Sequence, residues 1–432
     1  MNTEACQLRF SFQKSHPKFC TVNITVPAPF IERLYAETSR AQKHYTQAHG
    51  FAHGKAPTSY IAKTFHSPIT HQVQEFMLNY MVRTHLIEAM RSEKIIYTGD
   101  PKLTNVELEP GKDAQFTFEC TIPEELALKG WKFYPFKAPK RKNYRDLDRQ
   151  VQLFIKNEDD VILRDDEPIS IRDWVCFDIA VTDHTQCSLF DAYHQTMWLK
   201  IGNEEIDKPF QKLFCGKQNG DTFYTSAECF QEYFSSQLDT HYTFGITILD
   251  VVHDIKFSLN DFKTYFRLRT HKEIHKKLIE VFSYRNDVSQ RREMTEEAFK
   301  VLFKHHKFEV PQHILLRQQQ ELLEIMHRTP DYQVYRTQKG FEETIKKLSE
   351  KQMKEMILID QLALKESITI NRNDVRQYLN LLKRARTREF LHFGVPVTRI
   401  NGMQTPLSES ALGNFCLREK TVNHVIFHLT RR

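Results

Sequence analysis

The stretch His49-Gly-Phe-Ala-His-Gly-Lys-Ala-Pro57 gathers two glycines, a lysine and a proline around one phenylalanine. Glycine supplies 13 of the 432 residues, so two of them four positions apart are a local concentration. A helical pattern precedes the stretch. From Pro29, the residues Ile31, Leu34, Thr38, Ala41, Tyr45 and Ala48 recur at three-to-four spacing, and Gly50 stands where a C-terminal cap is expected. A second helix is expected to open at Ser67-Pro68, with serine as cap and proline in the first turn, and to carry Ile69, Val73, Phe76, Met77 and Tyr80 on its apolar face. This context excludes a phosphate-cradling loop. Gly50, Gly54 and Lys55 lack the Gly-Lys-Ser/Thr ending, and a helix stands where a strand is required. A bare connector accounts for Gly50 but not for Phe51 close to Lys55. An apolar ring at a loop tip is costly to leave in water and marks a docking site.

Working outward, Leu8, Phe10 and Phe12 alternate with polar residues, as do Val22, Ile24 and Val26. Phe116, Phe118, Cys120 and Ile122 do so again in "FTFECTI". Residues 1–123 therefore read as a small α+β domain whose two helices are joined by the glycine-containing loop. Residues 124–167 read as a linker, extended and proline-marked at first and helical from about Tyr144. Its basic cluster of Lys137, Lys140, Arg141, Lys142 and Arg145 is a solvated charge run or a phosphate-binding patch. Over 168–253 the short runs "WVCFDIAV", "QTMWLKIG", "DTFYTS" and "TFGITILDVV" predict a β-rich domain dense in aromatics, with one short helix near Lys208–Cys215. From 254 to 432 the chain is overwhelmingly helical. Pro311, Pro330, Gly340 and Gly394 interrupt the pattern, so a multi-helix domain is expected rather than one coiled coil.

The formal net charge of +6 is mild for 432 residues and does not by itself demand nucleic acid. Eight dispersed cysteines, with no Cys-x-x-Cys pair, read as reduced thiols of a cytosolic protein. With no run of eighteen apolar residues and a polar, alternating start, neither a membrane partner nor a leader is expected. His271 and His275 lie one turn apart as a zinc pair would, but Lys272 stands where a metalloprotease has glutamate and no third ligand follows. His305 and His306 are expected on different faces of a helix. No metal or cofactor is expected. No nucleophile triad or carboxylate pair stands out, which leaves chemistry that needs neither. Rotation about an X-Pro bond faces an amide-resonance barrier of roughly 20 kcal/mol. A dry aromatic pocket that binds the twisted amide best lowers it. Aromatics this dense serve as core more often than as pocket.

The loop then points to a family. Gly50-Phe51-Ala52-His53-Gly54-Lys55-Ala56-Pro57 resembles the signature Gly-Phe-Arg-x-Gly-Lys-x-Pro of trigger factors, bacterial ribosome-associated chaperones, at five of its six fixed positions. The segments "SYIAKTF", "HQVQEFMLNYMVRTHLIEAM", "EVPQHILLRQQQELL" and "ITINRNDVRQYLNLL" are similar to the family as well. The resemblance implies a multidomain α+β protein: a ribosome-binding domain, an FKBP-type prolyl isomerase domain and an all-helical domain that cradles unfolded chains. It implies docking of Gly50, Phe51, Ala52, His53, Gly54, Lys55 and Pro57 on a ribosomal protein and adjacent ribosomal RNA at the exit tunnel. Nascent and unfolded polypeptides are the implied clients, the location is cytoplasmic, and folding and export are assisted without ATP. Ala52 replaces the family's arginine and removes a planar fork for carboxylate or phosphate, so ribosome binding is expected to persist with altered strength or salt dependence. Gly202, Phe210, Gly216, Gly220 and Phe223 follow the isomerase frame, and Phe190, Phe210, Tyr233 and Phe244 are the implied pocket aromatics. Asp207-Lys208 replaces an Ile-Pro pair and Ile179 an aromatic, so charges are expected to wet the pocket floor and weaken catalysis. The alternatives are a stand-alone prolyl isomerase and an RNA-binding protein acting through the basic linker.

Overall fold

The computed structural model describes residues 8–140, 145–159, 167–190, 193–235, 241–285, 288–327, 330–394 and 396–431. Strands β1 (Arg9–His16) and β2 (Phe19–Val26) form an antiparallel hairpin, and strict alternation along β2 turns Cys20, Val22, Ile24 and Val26 inward. Helices α1 (Ala28–Tyr45), α2 (Thr58–Thr64), α3 (His66–Met77) and α4 (Arg83–Ser92) follow, with a π-helical turn, Leu78–Val82, joining the last two. Strands β3 (Thr98–Glu107) and β4 (Ala114–Thr121) complete a sheet of order β1-β2-β4-β3.

Three local expectations change here. Helix α1 ends at Tyr45 with extended Thr46 as its cap, so Gly50 serves a turn inside the loop instead, at φ +83°. The chain re-enters helix at Thr58 rather than Ser67. Pro68 has no N–H to give the Thr64 carbonyl, and the chain breaks at Phe65 (φ −107°, ψ 28°) before α3 begins. Strand β3 was not foreseen. Gly99 and Pro101 hide it in the sequence, and its place at the sheet edge, with a register shift between Thr98 and Lys102, tolerates both.

After β4 the chain runs along the C-terminal helices. The Leu126 N–H donates to Gln361 Oε1 (2.8 Å), Gln361 Nε2 donates to the Glu124 carbonyl (2.7 Å), and Leu128 and Trp131 are buried. Helix α5 (Arg145–Asp159) follows. Of the basic cluster, Lys137 and Lys140 are exposed, whereas Arg141, Lys142 and the side chain of Arg145 lie outside the described residues.

The β-rich part contains β5 (Trp174–Thr182), β6 (Gln195–Lys200), α6 (Lys208–Phe214), β7 (Thr222–Thr225), α7 (Glu228–Phe234) and β8 (Thr243–Val252). The expectation of one short helix is corrected by α7, whose seven residues are too few to display a helical period.

Helices α8 (Leu259–Tyr265) and α9 (His271–Phe282) come next, α9 packing on α5. A minimal hairpin of β9 (Tyr284–Arg285) and β10 (Val288–Ser289) leads to α10 (Gln290–His305), α11 (Gln312–His327), α12 (Tyr332–Arg336), α13 (Phe341–Lys365), α14 (Arg372–Leu382) and α15 (Ala385–Arg388). A second hairpin, β11 (Arg399–Ile400) and β12 (Met403–Gln404), precedes β13 (Leu407–Ser408) and α16 (Glu409–Thr430). Strand β13 joins the middle sheet, giving the order β13-β6-β5-β8-β7. Helix α16 packs on α10, α13 and α14, and its buried Glu419 accepts the N–H groups of His392 and Phe393 at 2.7 and 2.6 Å.

His275 Nε2 lies 3.8 Å from Asp148 Oδ1, while His271 is exposed. His305 and His306 do not diverge as expected. His306 already has extended backbone, so both rings meet Tyr134, one stacked at 3.9 Å between centroids and the other with Nε2 3.0 Å from the hydroxyl.

Candidate functional site

Two groups of aromatic residues decide what this molecule can do, and they are presented in opposite ways. The loop between α1 and α2 is anchored by two buried alanines, Ala48 and Ala56. Between them the Phe51 N–H donates to the Ala48 carbonyl (3.1 Å) and the Lys55 N–H to the Ala52 carbonyl (2.9 Å), closing two successive turns. Gly50 and Gly54 sit at φ +83° and +72°, where side chains with a Cβ are strained. Nothing lies within 4 Å of a Cβ built at Gly50, so backbone conformation rather than space requires glycine there. The Phe51 ring lies 5.0 Å from the Tyr60 ring of α2 and is still 39% exposed. Ala52, His53, Lys55 and Pro57 are exposed around it, and Pro57 is the residue from which α2 starts. The tip thus offers a supported apolar ring and, four residues on, an exposed cation.

The implied isomerase aromatics form one connected network, and other parts of the chain fill it. Phe210 and Phe244 each pack on Phe230 (5.4 and 5.9 Å between centroids), Phe244 packs on Phe234 (5.6 Å), and Tyr233 on Phe234 (4.9 Å). Into this network the N-terminal domain inserts Phe76 and Tyr80. Phe76 contacts Phe234, Tyr242 and Phe244, and Tyr80 contacts Phe234, Tyr193 and Phe190. Phe30 of α1 closes on Phe190 edge-on at 5.4 Å. Phe190 and Phe244 are buried beneath these rings, Phe210 is buried against Phe230, and Tyr233 is half-buried at the margin.

Polar contacts hold the same interface. The Tyr80 hydroxyl donates to the carbonyl of Ile179 (3.0 Å), the residue that the resemblance places where an aromatic was expected. Asn79 Nδ2 donates to the Phe234 carbonyl (2.9 Å) and Arg33 Nη1 to the Leu189 carbonyl (3.0 Å). The Thr38 and Tyr242 hydroxyls lie 2.7 Å apart. Tyr80 lies within the π-helical turn, and the Tyr193 hydroxyl reaches the carbonyls of Tyr80 and Met81 at 3.4 Å. Burial pushes the Tyr80 and Tyr242 hydroxyls far above the ordinary phenol range, so both stay neutral.

Asp207 and Lys208 do not wet a pocket floor, which corrects the expectation. Asp207 is fully buried, but against the C-terminal hairpin: Oδ2 receives Arg399 Nη2 (2.9 Å) and Oδ1 the Gln404 N–H (2.9 Å). Gly202 leaves room for this carboxylate, since a Cβ there would come within 1.9 Å of Asp207 Oδ2. Lys208 is exposed and paired with Glu205.

A third feature lies on the helical domain. Helices α11 and α13 pack together, and α11–α13 leave Leu316, Ile325, Val334, Tyr335 and Leu348 exposed. Met353, Ile357 and Ile359 of α13 are core.

Comparison with known proteins bears on these features together. Family models described as bacterial trigger factor protein and bacterial trigger factor protein C-terminus match residues 9–153 and 270–395. The chain belongs to the trigger factor family. Its similarity to a trigger factor of Geotalea daltonii is 22% identity over 83% of this chain and 84% of that protein. With one of Desulfosudis oleivorans it is 24% over 82% of each. A trigger factor of Aliivibrio fischeri is 29% identical over a shorter stretch, 39% of this chain and 35% of that protein. A solved structure titled "Promiscuous Substrate Recognition in Folding and Assembly Activities of the Trigger Factor Chaperone" aligns with 98% of this chain and 100% of that chain, at 14% identity and a TM-score of 0.37. Among the described residues of this trigger factor, no helix is long and apolar enough to cross a membrane.

Proposed function

We propose that this trigger factor is an ATP-independent holding chaperone that docks beside the ribosomal exit tunnel through the Gly50–Pro57 tip and shelters newly made chains in the cytoplasm. The observation that carries the reading is Phe51, an aromatic ring kept partly in water on a turn-stabilised loop, at the family's signature position and with Lys55 beside it. In this reading Phe51 supplies an apolar contact to the exit-tunnel protein, and Lys55 a charge for adjacent ribosomal RNA. Ala52 offers neither, so the remaining electrostatic term rests on Lys55, and binding falls less steeply with salt than an arginine-containing tip would give. The exposed apolar side chains of α11–α13 supply adaptable surface for nascent and unfolded polypeptides. Assistance to folding and export follows from such holding.

The prolyl isomerase activity implied by the family is, in this reading, closed off in the conformation described. In this reading a substrate proline needs the space beside the implied pocket residues Phe190 and Phe244, which Tyr80 and Phe76 occupy. The middle domain then acts as a bridge between the other two. Co-sedimentation of the full chain with ribosomes tests the docking assignment, with loss expected for the Phe51→Ala/Lys55→Ala double variant. Equal co-sedimentation of parent and variant refutes it. A protease-coupled assay on an Xaa-Phe-Pro peptide tests the closure. Background rate is expected for the full chain, and turnover well above background overturns it.

A further inference from the structure

Strands β2 and β4 place two cysteines face to face. Cys20 is the register partner of Cys120, between the pairs Phe19–Thr121 and Thr21–Glu119. Both side chains are buried on the inner face of the sheet, and their thiols are in hydrogen-bonding contact. The described cysteines are all free thiols, and Cys187 and Cys215 are the exposed ones among them. Residues directly opposite in an antiparallel ladder have Cα atoms roughly 4.5 or 5.5 Å apart, and a disulfide spans about 4.4–6.8 Å. The backbone therefore already stands within reach of a bridge.

The neighbouring strand gives this pair a weak flank. In β3, at the sheet edge, Thr98 faces Thr121 and Lys102 faces Glu119, so Cys120 stands against the register shift at Gly99-Asp100-Pro101. Pro101 has no N–H to give the ladder there. Helix α11 closes the flank. A Cβ built at Gly99 would come within 2.7 Å of Ile314 Cδ1, so Ile314 seats directly on the shifted segment. His313 stacks on Phe19 at 5.6 Å between centroids, its Nε2 lies 2.9 Å from Thr121 Oγ1, and Arg317 pairs with Asp100. Phe19 and Thr121 are the chain neighbours of the two cysteines. Their cover is thus one helix from a distant part of the chain, and its polar ties, His313 and Arg317, are exposed. Contacts of that kind open at low cost.

We propose that Cys20 and Cys120 are a peroxide-sensitive dithiol that closes to a cross-strand disulfide when α11 lifts from β3, bracing the domain that carries the Gly50–Pro57 tip. The Cys120 thiol donates to the Cys20 sulfur, and this contact is the main cause that lowers the Cys20 pKa from the ordinary thiol range. The same contact, with burial, pushes Cys120 up, so Cys20 is the attacking sulfur. It takes one oxygen of hydrogen peroxide, the O–O bond breaks, and water leaves with the thiol proton, giving Cys20 sulfenic acid. The Cys120 sulfur then attacks the Cys20 sulfur, the S–O bond breaks and a second water leaves. Two thiols and one peroxide become one disulfide and two waters, the dithiol oxidised and the peroxide reduced. The bridge closes the chain from Cys20 to Cys120, with the tip inside the closed loop, and so restricts the unfolded domain. Disulfides of a reducing compartment are transient and redox-sensing, which suits a pair that reacts only when uncovered.

The test is treatment of the reduced full chain with hydrogen peroxide under native conditions, then alkylation with iodoacetamide in denaturant and peptide mapping by mass spectrometry. A Cys20–Cys120 disulfide is expected, and dithiothreitol is expected to restore both thiols. His313→Ala/Arg317→Ala alters two exposed side chains of α11 and is expected to speed bridge formation several-fold with an unchanged circular dichroism spectrum. Should that variant lose its fold, Arg317→Ala alone serves the same comparison. The oxidised parent is expected to unfold its N-terminal part at a higher urea concentration than the reduced parent, a shift that dithiothreitol reverses. Cys20 and Cys120 recovered as alkylated thiols while Cys187 and Cys215 are oxidised overturn the pair, as does a bridge from either to another cysteine. An unchanged rate in the folded variant overturns the cover by α11, and an unchanged urea midpoint overturns the bracing.

Discussion

Phe51 and Phe76 are separated by one short helix, α2, yet one is held out to solvent and the other driven into a neighbouring domain. Phe51 is 39% exposed and touches the single ring of Tyr60, whereas Phe76 is 1% exposed and meets four rings, three of them from the middle domain. The difference lies in what the backbone around each ring can satisfy. The Phe51 turns close their own hydrogen bonds, so the tip needs no partner in order to fold. The helix carrying Phe76 runs into a π-helical turn whose carbonyls take the Tyr193 hydroxyl and whose Tyr80 hydroxyl needs the Ile179 carbonyl. It is finished by the middle domain. A motif residue is therefore available to a partner when its local structure is self-sufficient, and unavailable when its own chain completes it.

The largest expected effect probes the covered side. Phe76→Ala removes a buried ring from the domain junction and is expected to cost about 3–5 kcal/mol in denaturant unfolding, with separation of the N-terminal and middle transitions. A loss near zero would mean that the junction is loose. Asp207→Asn is expected to cost about 2 kcal/mol, because Arg399 loses its fully buried partner while staying partly exposed itself. It loosens the C-terminal hairpin without touching the rings, so the junction with the N-terminal domain should keep its stability in the same unfolding experiment. Phe51→Ala/Lys55→Ala is expected to weaken ribosome binding at least tenfold while stability changes by no more than about 0.5 kcal/mol. That pairing of readouts is what a self-sufficient tip requires.

The smallest effect is one of pH. Lys383 Nζ donates to the Lys256 carbonyl (2.8 Å), and burial, the main cause, lowers its pKa to about 8 from 10.5. Between those values the unfolded chain keeps a proton that the folded chain has released, so raising the pH favours folding there, and the contribution is lost as pH falls through 8. The melting temperature of the parent is expected to gain on that of Lys383→Met from pH 8 to 10. A constant difference would mean that Lys383 titrates as if in water.

Much of this organisation is written locally in the sequence and some is not. The alternation in β2 and β4 and the spacing in α1 are one-dimensional signals, and the loop motif is a short string. Helix α16 left no such signal because it is buried on several sides. Ser410, Glu419 and Thr421 are as buried as Leu412 and Val425, so no apolar stripe stands out. The stripe that runs through α3 into the π-helical turn correctly marks Phe76 and Tyr80 as buried, but a period cannot say against what. For the same reason the aromatics Phe190, Phe210, Tyr233 and Phe244 could be named from a motif, while the rings that cover Phe190 and Phe244 include residues more than a hundred positions away. Asp207 misled in the other direction. A charge beside a presumed pocket reads as wetting, whereas Arg399, Gln404 and the absent side chain of Gly202 give it a dry and satisfied place.

The contrast between an offered ring and a covered network is tested most directly by hydrogen–deuterium exchange of the full chain, alone and with ribosomes. The account predicts that amides of 49–55 exchange fast in the free protein and slow on adding ribosomes, while those of 76–82, 177–181 and 228–234 stay protected throughout. Unchanged exchange in 49–55, or fast exchange of 228–234 in the free protein, would contradict it.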